Sequence, residues 1–515
     1  MTHYDYIVIG AGSAGCVVAN RLTKDPETTV LLLEAGNPDT KPEIHIPAEC
    51  INLLGTDVDW GYFSEPEPYL NHRKMFCSRG KVLGGSSSIN FMTYIRGNPH
   101  DYDHWKELGN LGWSYQDVLP YFKKSEHSSR GESEFHGIDG ELSVTDLIAP
   151  TAIAQRFVEA CVAAGYDYNP DFNAKQQEGA GRYQVTIKDG KRHSAAAAFL
   201  VPILQRSNLT VTTGALVTRL LFEGTRTVGV EYLHKGTRHQ VQVNQEVILS
   251  AGAFDSPKLL MLSGIGNAEE LRSLNIPVVA DRPGVGQNLQ DHILVPIVYQ
   301  ATQDLHYAST SGIGEAGLFL HSEVNSEVAP DLQFLFNPTQ FLPPGYAPAE
   351  FGFTGAVTLT HLQNVGSVSL RSRSVGFAQS SDSTDPPQFQ MNYLQSETDV
   401  QKFVFSIKLM RQLLHTSSLD EFRGAEIAPG ADIQSNEALE AYIRDTASTL
   451  GHPVGTCKMG TDPMAVVDPE LRVHGIQGLR VVDASIMPTI TTGNTNAPTI
   501  MIGEKAADLI RKKSF

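Results

Sequence analysis

The chain opens with a run of apolar residues, then a glycine-rich turn, then apolar positions three and four residues apart. Residues 4–9 predict a strand that is buried on both faces, and residues 14–22 predict one face of a helix. Residues 29–33 form a second apolar run of strand length, which Glu34 closes. Together these segments predict a βαβ unit of roughly thirty residues, the usual start of a parallel sheet.

Further along, strand-like and helix-like segments follow one another. Alternating apolar and polar positions predict strands at 209–211, 228–232, 247–249, 331–336 and 356–361, and one more strand is expected at 480–483. Helical spacing marks 154–162, with Gly165 placed to end that helix, and 497–513.

Strands and helices alternate near both ends of the chain, whereas the middle is richer in strands of the antiparallel type. This order predicts an α/β fold, α+β overall, in which a Rossmann-type dinucleotide-binding domain carries an inserted lobe built on a mainly antiparallel sheet. We assign residues 1–155, 205–295 and 450–515 to the domain, and residues 156–204 and 296–449 to the lobe, which we expect to bind substrate.

Composition narrows the class of protein. A chain of 515 residues is too long for one simple core, so more than one domain or lobe is expected. Its 41% hydrophobic and 19% charged residues are typical of a globular protein. A net charge of −17 disfavours nucleic acid and anionic membranes as partners, and no apolar run approaches the ~20 residues of a membrane span. The five cysteines are scattered, which disfavours disulfides and a zinc site. With no secretory signal before the first strand, we expect a cytoplasmic protein.

The first turn carries a dinucleotide fingerprint. Gly10, Gly12 and Gly15 lie between the strand and the helix, and Glu34 follows 19 residues after Gly15. Gly10 permits the tight turn, Gly12 lets a pyrophosphate approach the helix N-terminus, and Gly15 allows close helix–strand packing. Glu34 is expected to accept hydrogen bonds from ribose hydroxyls. This fingerprint alone does not distinguish FAD from NAD.

Five longer motifs follow in order along the chain. They are GKVLGGSSSIN at 80–90, GAFDSPKLLMLSGIG at 252–266, PGVGQNLQDH at 283–292, GHPVGT at 451–456 and GNTNAPT at 493–499. In sequence and order they resemble the glucose-methanol-choline (GMC) oxidoreductases, with the middle lobe matched only weakly. The resemblance implies an FAD-dependent dehydrogenase or oxidase that converts a primary alcohol to an aldehyde by hydride transfer to flavin N5.

The resemblance also implies which residues meet the FAD. They are Gly10, Gly12, Ser13, Ala14, Gly15, Glu34 and Ala35 in the fingerprint; Val82, Gly85, Ser86, Asn90, Phe91, Met92 and Thr93 in the first motif; Val217 and Ala251 near the adenine; Asp483 and Ala484 near the ribityl chain and pyrophosphate; and Asn496, Pro498 and Thr499 at the start of the last helix. Ile89 stands where some relatives carry the histidine that attaches the flavin, so we expect non-covalent FAD.

Oxidising an alcohol requires a base for the hydroxyl proton, and histidine titrates in the suitable range. The resemblance implies that His452 is this base and that Asn496 is the second member of the catalytic pair, which holds the substrate oxygen without titrating. His361 aligns loosely with a third active-site position, and a packing or surface role for it is equally open.

Several alternatives remain at this point. A NAD-dependent dehydrogenase would share the fingerprint, and a flavin lyase or photodecarboxylase would share the fold, although Gln340 and His361 are unsuited to hold a fatty carboxylate. The aromatic residues of the middle lobe line an apolar pocket or form the core of its sheet: Phe334, Phe336, Phe341, Leu342, Phe351 and Phe353. Choline is a possible substrate, but no aromatic cage is evident. The electron acceptor (oxygen, a quinone or a protein) and the oligomeric state stay open.

Overall fold

Two seven-stranded sheets form the frame of the protein, in a computed structural model that describes residues 3–323, 328–375, 378–380 and 382–512. In spatial order, the first sheet consists of Leu209–Thr212, Val30–Leu33, His3–Ile9, Thr237–Leu249, Arg226–His234 and Ala215–Glu223, and Leu479–Val481 pairs with Thr237–Leu249. The strand His3–Ile9 is parallel to both of its neighbours. This is the predicted Rossmann-type arrangement.

The first helix packs on the parallel part of this sheet, and the last helix packs on the first. Ser13–Leu22 is buried on nearly all sides, and Asn496–Arg511 packs directly against it. Arg21 Nε donates to Glu504 Oε2 at 2.8 Å, and both side chains are buried. Because a buried charge is costly without a partner, this ion pair fixes how the two ends of the chain meet.

The second sheet is antiparallel throughout. Its strands in spatial order are Arg423–Ala428, Ile293–Ala301, Gly352–Leu359, Leu332–Asn337, Ala316–Leu320 and Gly179–Arg182, and Ser448–Thr449 pairs with Ile293–Ala301. The helices Ala152–Ala163 and Glu397–Leu414 pack on one face. The two sheets confirm the predicted fold, a Rossmann-type domain with a lobe built on an antiparallel sheet.

Alternate residues of the second sheet have different environments, as the period of a strand requires. Phe334, Phe336 and Phe353 are fully buried, and Phe336 stacks on Phe157 of the covering helix with ring centroids 4.8 Å apart. These three rings belong to the core. Phe341 and Leu342 instead line a cavity on the other side of the sheet, so the predicted apolar group divides between both roles.

The remaining elements are short and connect the two sheets. The other α-helices are Pro42–His45, Pro99–Glu107, Tyr115–Ser125, Gly252–Leu262, Ala268–Ser273 and Asn436–Thr446. Tighter or wider turns of helix occur at Pro47–Leu53, Gly85–Ser88, Ala196–Leu200, Val201–Ile203, Ser417–Leu419 and Ala484–Ile486. The minor strands are Tyr62–Phe63, Phe76–Cys77, Thr93–Tyr94, Glu126–Ser128, Leu142–Asp146, Gln184–Val185, Ile187–Lys188, Lys191–Arg192, Ile265–Gly266, Ala280–Asp281, Ser367–Ser369, Arg373–Val375, Ala378–Ser380 and Gln388–Gln390. Within the described ranges, no helix has the length and apolar character needed to cross a membrane.

Two details depart from the sequence expectations. The helix Ala152–Ala163 ends before Gly165, whose φ of +98° suits a glycine, but Val162 is 44% exposed and does not belong to its packed face. This helix also straddles the assigned boundary at residue 155 and packs on the second sheet. The last helix is Asn496–Arg511, and residue 513 lies outside the described residues. The domain boundaries stay a prediction.

A buried charged cluster joins parts of the chain that lie far apart between residues 96 and 171. His136 lies between two carboxylates, with Nδ1 3.0 Å from Glu126 and Nε2 2.8 Å from Asp171. Arg96 pairs with Glu126 at 2.7 Å. Burial alone would lower the pKa of His136, but the hydrogen bonds to Asp171 and Glu126 outweigh it and raise the pKa to about 9. His136 is therefore a cation at neutral pH.

We expect the contribution of His136 to stability to depend on pH. Because its pKa is raised in the folded protein, the stabilisation is complete below its ordinary pKa of 6.5 and is lost as the pH rises through about 9. The variant His136→Gln should lower the free energy of unfolding by ~3 kcal/mol near pH 6 and by much less near pH 9.5, as measured by urea unfolding. His104→Gln, at a side chain that is 51% exposed, is the control. An effect of equal size at both pH values would contradict a charged His136.

Candidate active site

One large cavity of about 690 Å³ lies between the two sheets. Most residues expected to meet the cofactor line it: Gly10, Gly12, Ser13, Ala14, Glu34, Ala35, Gly85, Ser86, Asn90, Phe91, Met92, Thr93, Val217, Ala251, Asp483, Ala484, Asn496 and Thr499. His452 and Asn494 are on the same wall. Gly15, Val82 and Pro498 lie behind it.

The glycines of the first turn differ in what a side chain would meet. At Gly10, φ is +96° and a Cβ would lie 2.4 Å from the oxygen of Ser250. A Cβ at Gly15 would lie 2.0 Å from the oxygen of Gly10, so the helix can approach the turn only without a side chain there. At Gly12, no atom lies within 4 Å of that position. The helix N-terminus therefore faces open space, where backbone N–H groups can receive a pyrophosphate.

Glu34 stands at the end of its strand with its carboxylate turned towards the same turn. The carboxylate accepts one hydrogen bond from Ala11 N–H and one from Gly36 N–H, each 2.8 Å long. Burial raises its pKa to about 7. Each oxygen accepts one of these bonds and retains a lone pair, so the group can still bind ribose hydroxyls.

Two arginines hold the loop at 84–90. Arg192 is buried and donates to the carbonyl of Ser87 at 3.2 Å and to the carbonyl of Asn90 at 2.6 Å. Arg79 donates to Ser86 Oγ at 2.6 Å and to the carbonyl of Gly451 at 2.5 Å. Arg79 therefore ties this loop to the segment that carries His452, a connection that no local sequence pattern indicated.

Val82 and Ile89 of this region face different ways. The Val82 side chain packs in a small apolar cluster with Ile44, Leu53, Val58 and Ile89, away from the cavity. Ile89 also lies on the cavity wall, where its aliphatic side chain offers no atom for covalent attachment of a cofactor.

Asp291 positions the backbone around His452. Its carboxylate accepts hydrogen bonds from the backbone N–H groups of His452 at 2.6 Å and His292 at 2.9 Å. The hydroxyls of Tyr393 and Thr449 donate to the other oxygen. This buried carboxylate accepts its hydrogen bonds from backbone and hydroxyl donors, and the hydrogen bonds of the His452 ring go to other residues.

The ring of His452 lies between another histidine and an asparagine. Its Nδ1 is 2.9 Å from Nδ1 of His292, and its Nε2 is 3.2 Å from Nδ2 of Asn494. Burial, with smaller contributions from His292 and Arg79, lowers the pKa of His452 well below its ordinary value. His452 is thus neutral at physiological pH and able to accept a proton.

The structure brings Asn494, and not Asn496, against His452. Asn496 is the first residue of the last helix, and its Oδ1 accepts a hydrogen bond of 2.7 Å from Ser13 Oγ at the fingerprint turn. Asn494 lies in the loop before the helix, and its Oδ1 is buried without a partner among the described residues. Both asparagines stand in the motif at 493–499, two residues apart, so the motif alone could not decide between them.

Two family models, both described as GMC oxidoreductase, match residues 4–294 and 364–503. The chain belongs to the GMC oxidoreductase family.

Relatives of known activity cover nearly the whole chain. Oxygen-dependent choline dehydrogenase of Pseudomonas savastanoi pv. phaseolicola is 47% identical, over 99% of this chain and 94% of the relative. Mitochondrial choline dehydrogenase of Mus musculus is 44% identical, over 99% and 89% of the two chains. Among solved structures, pyridoxine 4-oxidase from Mesorbium loti superposes with a TM-score of 0.92 at 32% identity, covering 99% of this chain and 100% of that one.

As a GMC oxidoreductase, the protein is an FAD-dependent enzyme that oxidises alcohols. Its residues fit this cofactor, because the space at Gly12, the carboxylate of Glu34 and the small residues Gly85 and Ser86 all face one cavity. The NAD-dependent alternative falls away, and the relatives give no support to the lyase alternative. Within the described ranges, no group of three or more histidine, cysteine or acidic side chains could hold a metal ion.

His361 and Gln340 both lie off the cavity wall. His361 Nε2 is 3.3 Å from Asp101 Oδ1, and its side chain is 38% exposed. Gln340 exchanges hydrogen bonds with the backbone of Ala349. All five cysteines are buried and free, as the scattered pattern suggested.

Gly12 and Gly15 allow a matched test of where the cofactor binds. Gly12→Ala should leave the stability of the apoprotein within ~0.5 kcal/mol of the original, since the new methyl group meets no protein atom, while FAD binding weakens at least ~10-fold. Gly15→Ala should destabilise the apoprotein itself by ~3 kcal/mol because its methyl group overlaps Gly10. Thermal unfolding and FAD titration measure both effects. Unchanged FAD affinity in Gly12→Ala would contradict this placement of the cofactor.

Proposed function

We propose that the enzyme oxidises a neutral primary alcohol with an apolar body, with His452 as the base and Asn494 beside it. The observation that carries the proposal is the position of His452 Nε2, on the cavity wall and 3.2 Å from the amide nitrogen of Asn494. A hydroxyl group placed there reaches a proton acceptor and a hydrogen-bond donor at once.

The two side chains have distinct tasks in this proposal. His452 Nε2 accepts the hydroxyl proton, and Asn494 Nδ2 donates to the substrate oxygen and fixes its orientation. FAD, when bound, accepts the hydride. Asn496 acts on the cofactor side, where it joins Ser13 to the last helix. The positive end of this helix favours negative charge nearby.

The substrate end of the cavity is apolar. The second sheet contributes Leu294, Pro296, Leu335 and Ala356 to the wall, and the loop between its strands Leu332–Asn337 and Gly352–Leu359 contributes Phe341 and Leu342. The rings of Phe341 and Phe91 lie 5.9 Å apart at a tilt of 32°. Such a surface suits an aliphatic or aromatic body better than a charged one.

The carboxylates on the cavity wall are already engaged elsewhere. Among the described lining residues they are Glu34, Asp255 and Asp483. Tyr62 OH and Lys258 contact Asp255, and Ser256 Oγ donates to Asp483 at 2.5 Å. None belongs to the sheet that forms the substrate end. A quaternary ammonium group would therefore lack a counter-ion there.

Choline is the second candidate, because the choline dehydrogenases are similar to this chain along its whole length. The two candidates are separated by anaerobic reduction of the purified flavoprotein with benzyl alcohol, a long-chain alkanol and choline. We expect the ratio of the flavin-reduction rate constant to the dissociation constant of the alcohol to be higher for the neutral alcohols than for choline. A higher ratio for choline would overturn the neutral class, and re-oxidation in air would then distinguish an oxidase from a dehydrogenase.

The five free, buried cysteines support the further proposal of a reducing, cytoplasmic location. Re-oxidation of the reduced flavin in air, in the experiment above, also tests whether oxygen is the electron acceptor.

The role of His452 has a direct test. His452→Ala should lower the rate of flavin reduction ~10³-fold or more with FAD still bound, because the proton acceptor is lost while the cofactor contacts remain. His361→Ala is the matched control and should reduce the flavin at close to the normal rate, since that imidazole lies off the cavity. Stopped-flow spectroscopy measures both rates. Normal reduction in His452→Ala would remove this histidine from the mechanism.

A further inference from the structure

A chain of hydrogen bonds starts at a backbone carbonyl and ends at the proposed base. The carbonyl oxygen of Thr360 is 2.9 Å from His292 Nε2, and His292 Nδ1 is 2.9 Å from His452 Nδ1. His452 Nε2 is then 3.2 Å from Asn494 Nδ2. His292 is 1% exposed, and Thr360 follows the end of the strand Gly352–Leu359.

The carbonyl determines the direction of every bond in this chain. A carbonyl oxygen only accepts, so His292 Nε2 must carry a hydrogen. In a neutral imidazole the other nitrogen is then an acceptor, so His452 Nδ1 must donate to it. His452 Nε2 is thereby left with a lone pair, and Asn494 Nδ2 donates to it. The opposite tautomer of His452 would set two lone pairs against each other 2.9 Å apart.

A doubly protonated His292 would reverse this direction, but its surroundings oppose that charge. Burial lowers the pKa of His292 to about 4. The charged or titratable groups around the two rings are Arg79, Asp101, Asp291 and His361. In the described part of the chain, no carboxylate oxygen hydrogen-bonds to either imidazole, because Asp291 is engaged by backbone and hydroxyl donors. Both rings are therefore neutral near neutral pH.

We propose that His292 is a positioning residue that transmits the polarity of the Thr360 carbonyl to His452 and holds it in the Nδ1–H tautomer. Nε2 then carries the lone pair that accepts the proton of the alcohol, once the substrate hydroxyl has replaced Asn494 as its hydrogen-bond partner. This inference rests on the proposed role of His452 as the base. When Nε2 gains the hydroxyl proton, His452 becomes an imidazolium that keeps donating from Nδ1 to His292. His292 stabilises that cation as an acceptor and takes up no proton itself.

Two substitutions separate this role from simple packing and from a proton relay. His292→Gln offers an amide oxygen to accept from His452 Nδ1–H and an amide N–H to donate to Thr360, but it cannot titrate. His292→Met has similar bulk without either function. Holding a catalytic histidine in the wrong tautomer costs up to about 10⁴-fold in rate in a well-studied hydrolase triad. We expect His292→Met to reduce the flavin at least ~10²-fold more slowly, and His292→Gln to stay within ~10-fold of the original enzyme.

Flavin content and melting temperature of both variants check that the fold and the cofactor are retained. Equal slowing in His292→Gln and His292→Met, with FAD bound, would overturn the proposal, because it would show that His292 must ionise or relay a proton. Normal rates in both variants would overturn it as well, because the tautomer would then not depend on His292.

A second measurement reads the tautomer without turnover. In the ¹⁵N-histidine-labelled holoenzyme, the signals of His452 are those that disappear in His452→Ala. We expect a protonated Nδ1 and an unprotonated Nε2, and a loss of this preference in His292→Met. A protonated Nε2 in the resting enzyme would overturn the inference even if alcohols reduce the flavin. If the expected tautomer is present but no alcohol reduces the flavin, the proposed function fails and the role of His292 stands.

Discussion

The proposed active site depends on a buried imidazole, that of His452, with which no carboxylate of the described residues makes a hydrogen bond. A carboxylate in contact with His452 would stabilise the imidazolium and raise its pKa. The ring would then be protonated in the resting enzyme and unable to accept the proton of the alcohol. The protein has a carboxylate within reach in Asp291, yet that group is occupied by backbone N–H groups and hydroxyls. Asp291 thus fixes where the histidine stands without changing its charge. Among the described residues, the hydrogen-bond partners of the ring are the neutral side chains of His292 and Asn494.

This arrangement places the chemistry at the junction of the two sheets. The strand Ser448–Thr449, three residues before His452, belongs to the second sheet. His452 itself lines the cavity between the two sheets. Arg79 closes the junction by binding both Gly451 and Ser86. Arg79 therefore connects the loop at 84–90, which lies on the cavity wall, to the segment that carries the proposed base.

Sequence reasoning was strongest where the determinants are local. The fingerprint at Gly10, Gly12 and Gly15, the parallel strands and the assignment to the family all depend on spacing within short segments, and these were predicted. The contact of Asn494 with His452 was not, because it depends on where the last helix begins and which way each side chain then points; the catalytic role of Asn496 stays a prediction. His292 is the last residue of the motif at 283–292, but its partner Thr360 is 68 residues away, and no local pattern connects the two.

The second sheet has a consequence for how such an enzyme can change over time. Leu335 lies on the cavity wall, while its neighbours Phe334 and Phe336 are fully buried in the core. Along this strand, neighbouring positions therefore serve different purposes, one facing the cavity and the next the core. Substitutions confined to the cavity-facing positions can change the shape of the pocket at little cost to the core of the sheet, so the shape of the pocket and the stability of the fold can change separately.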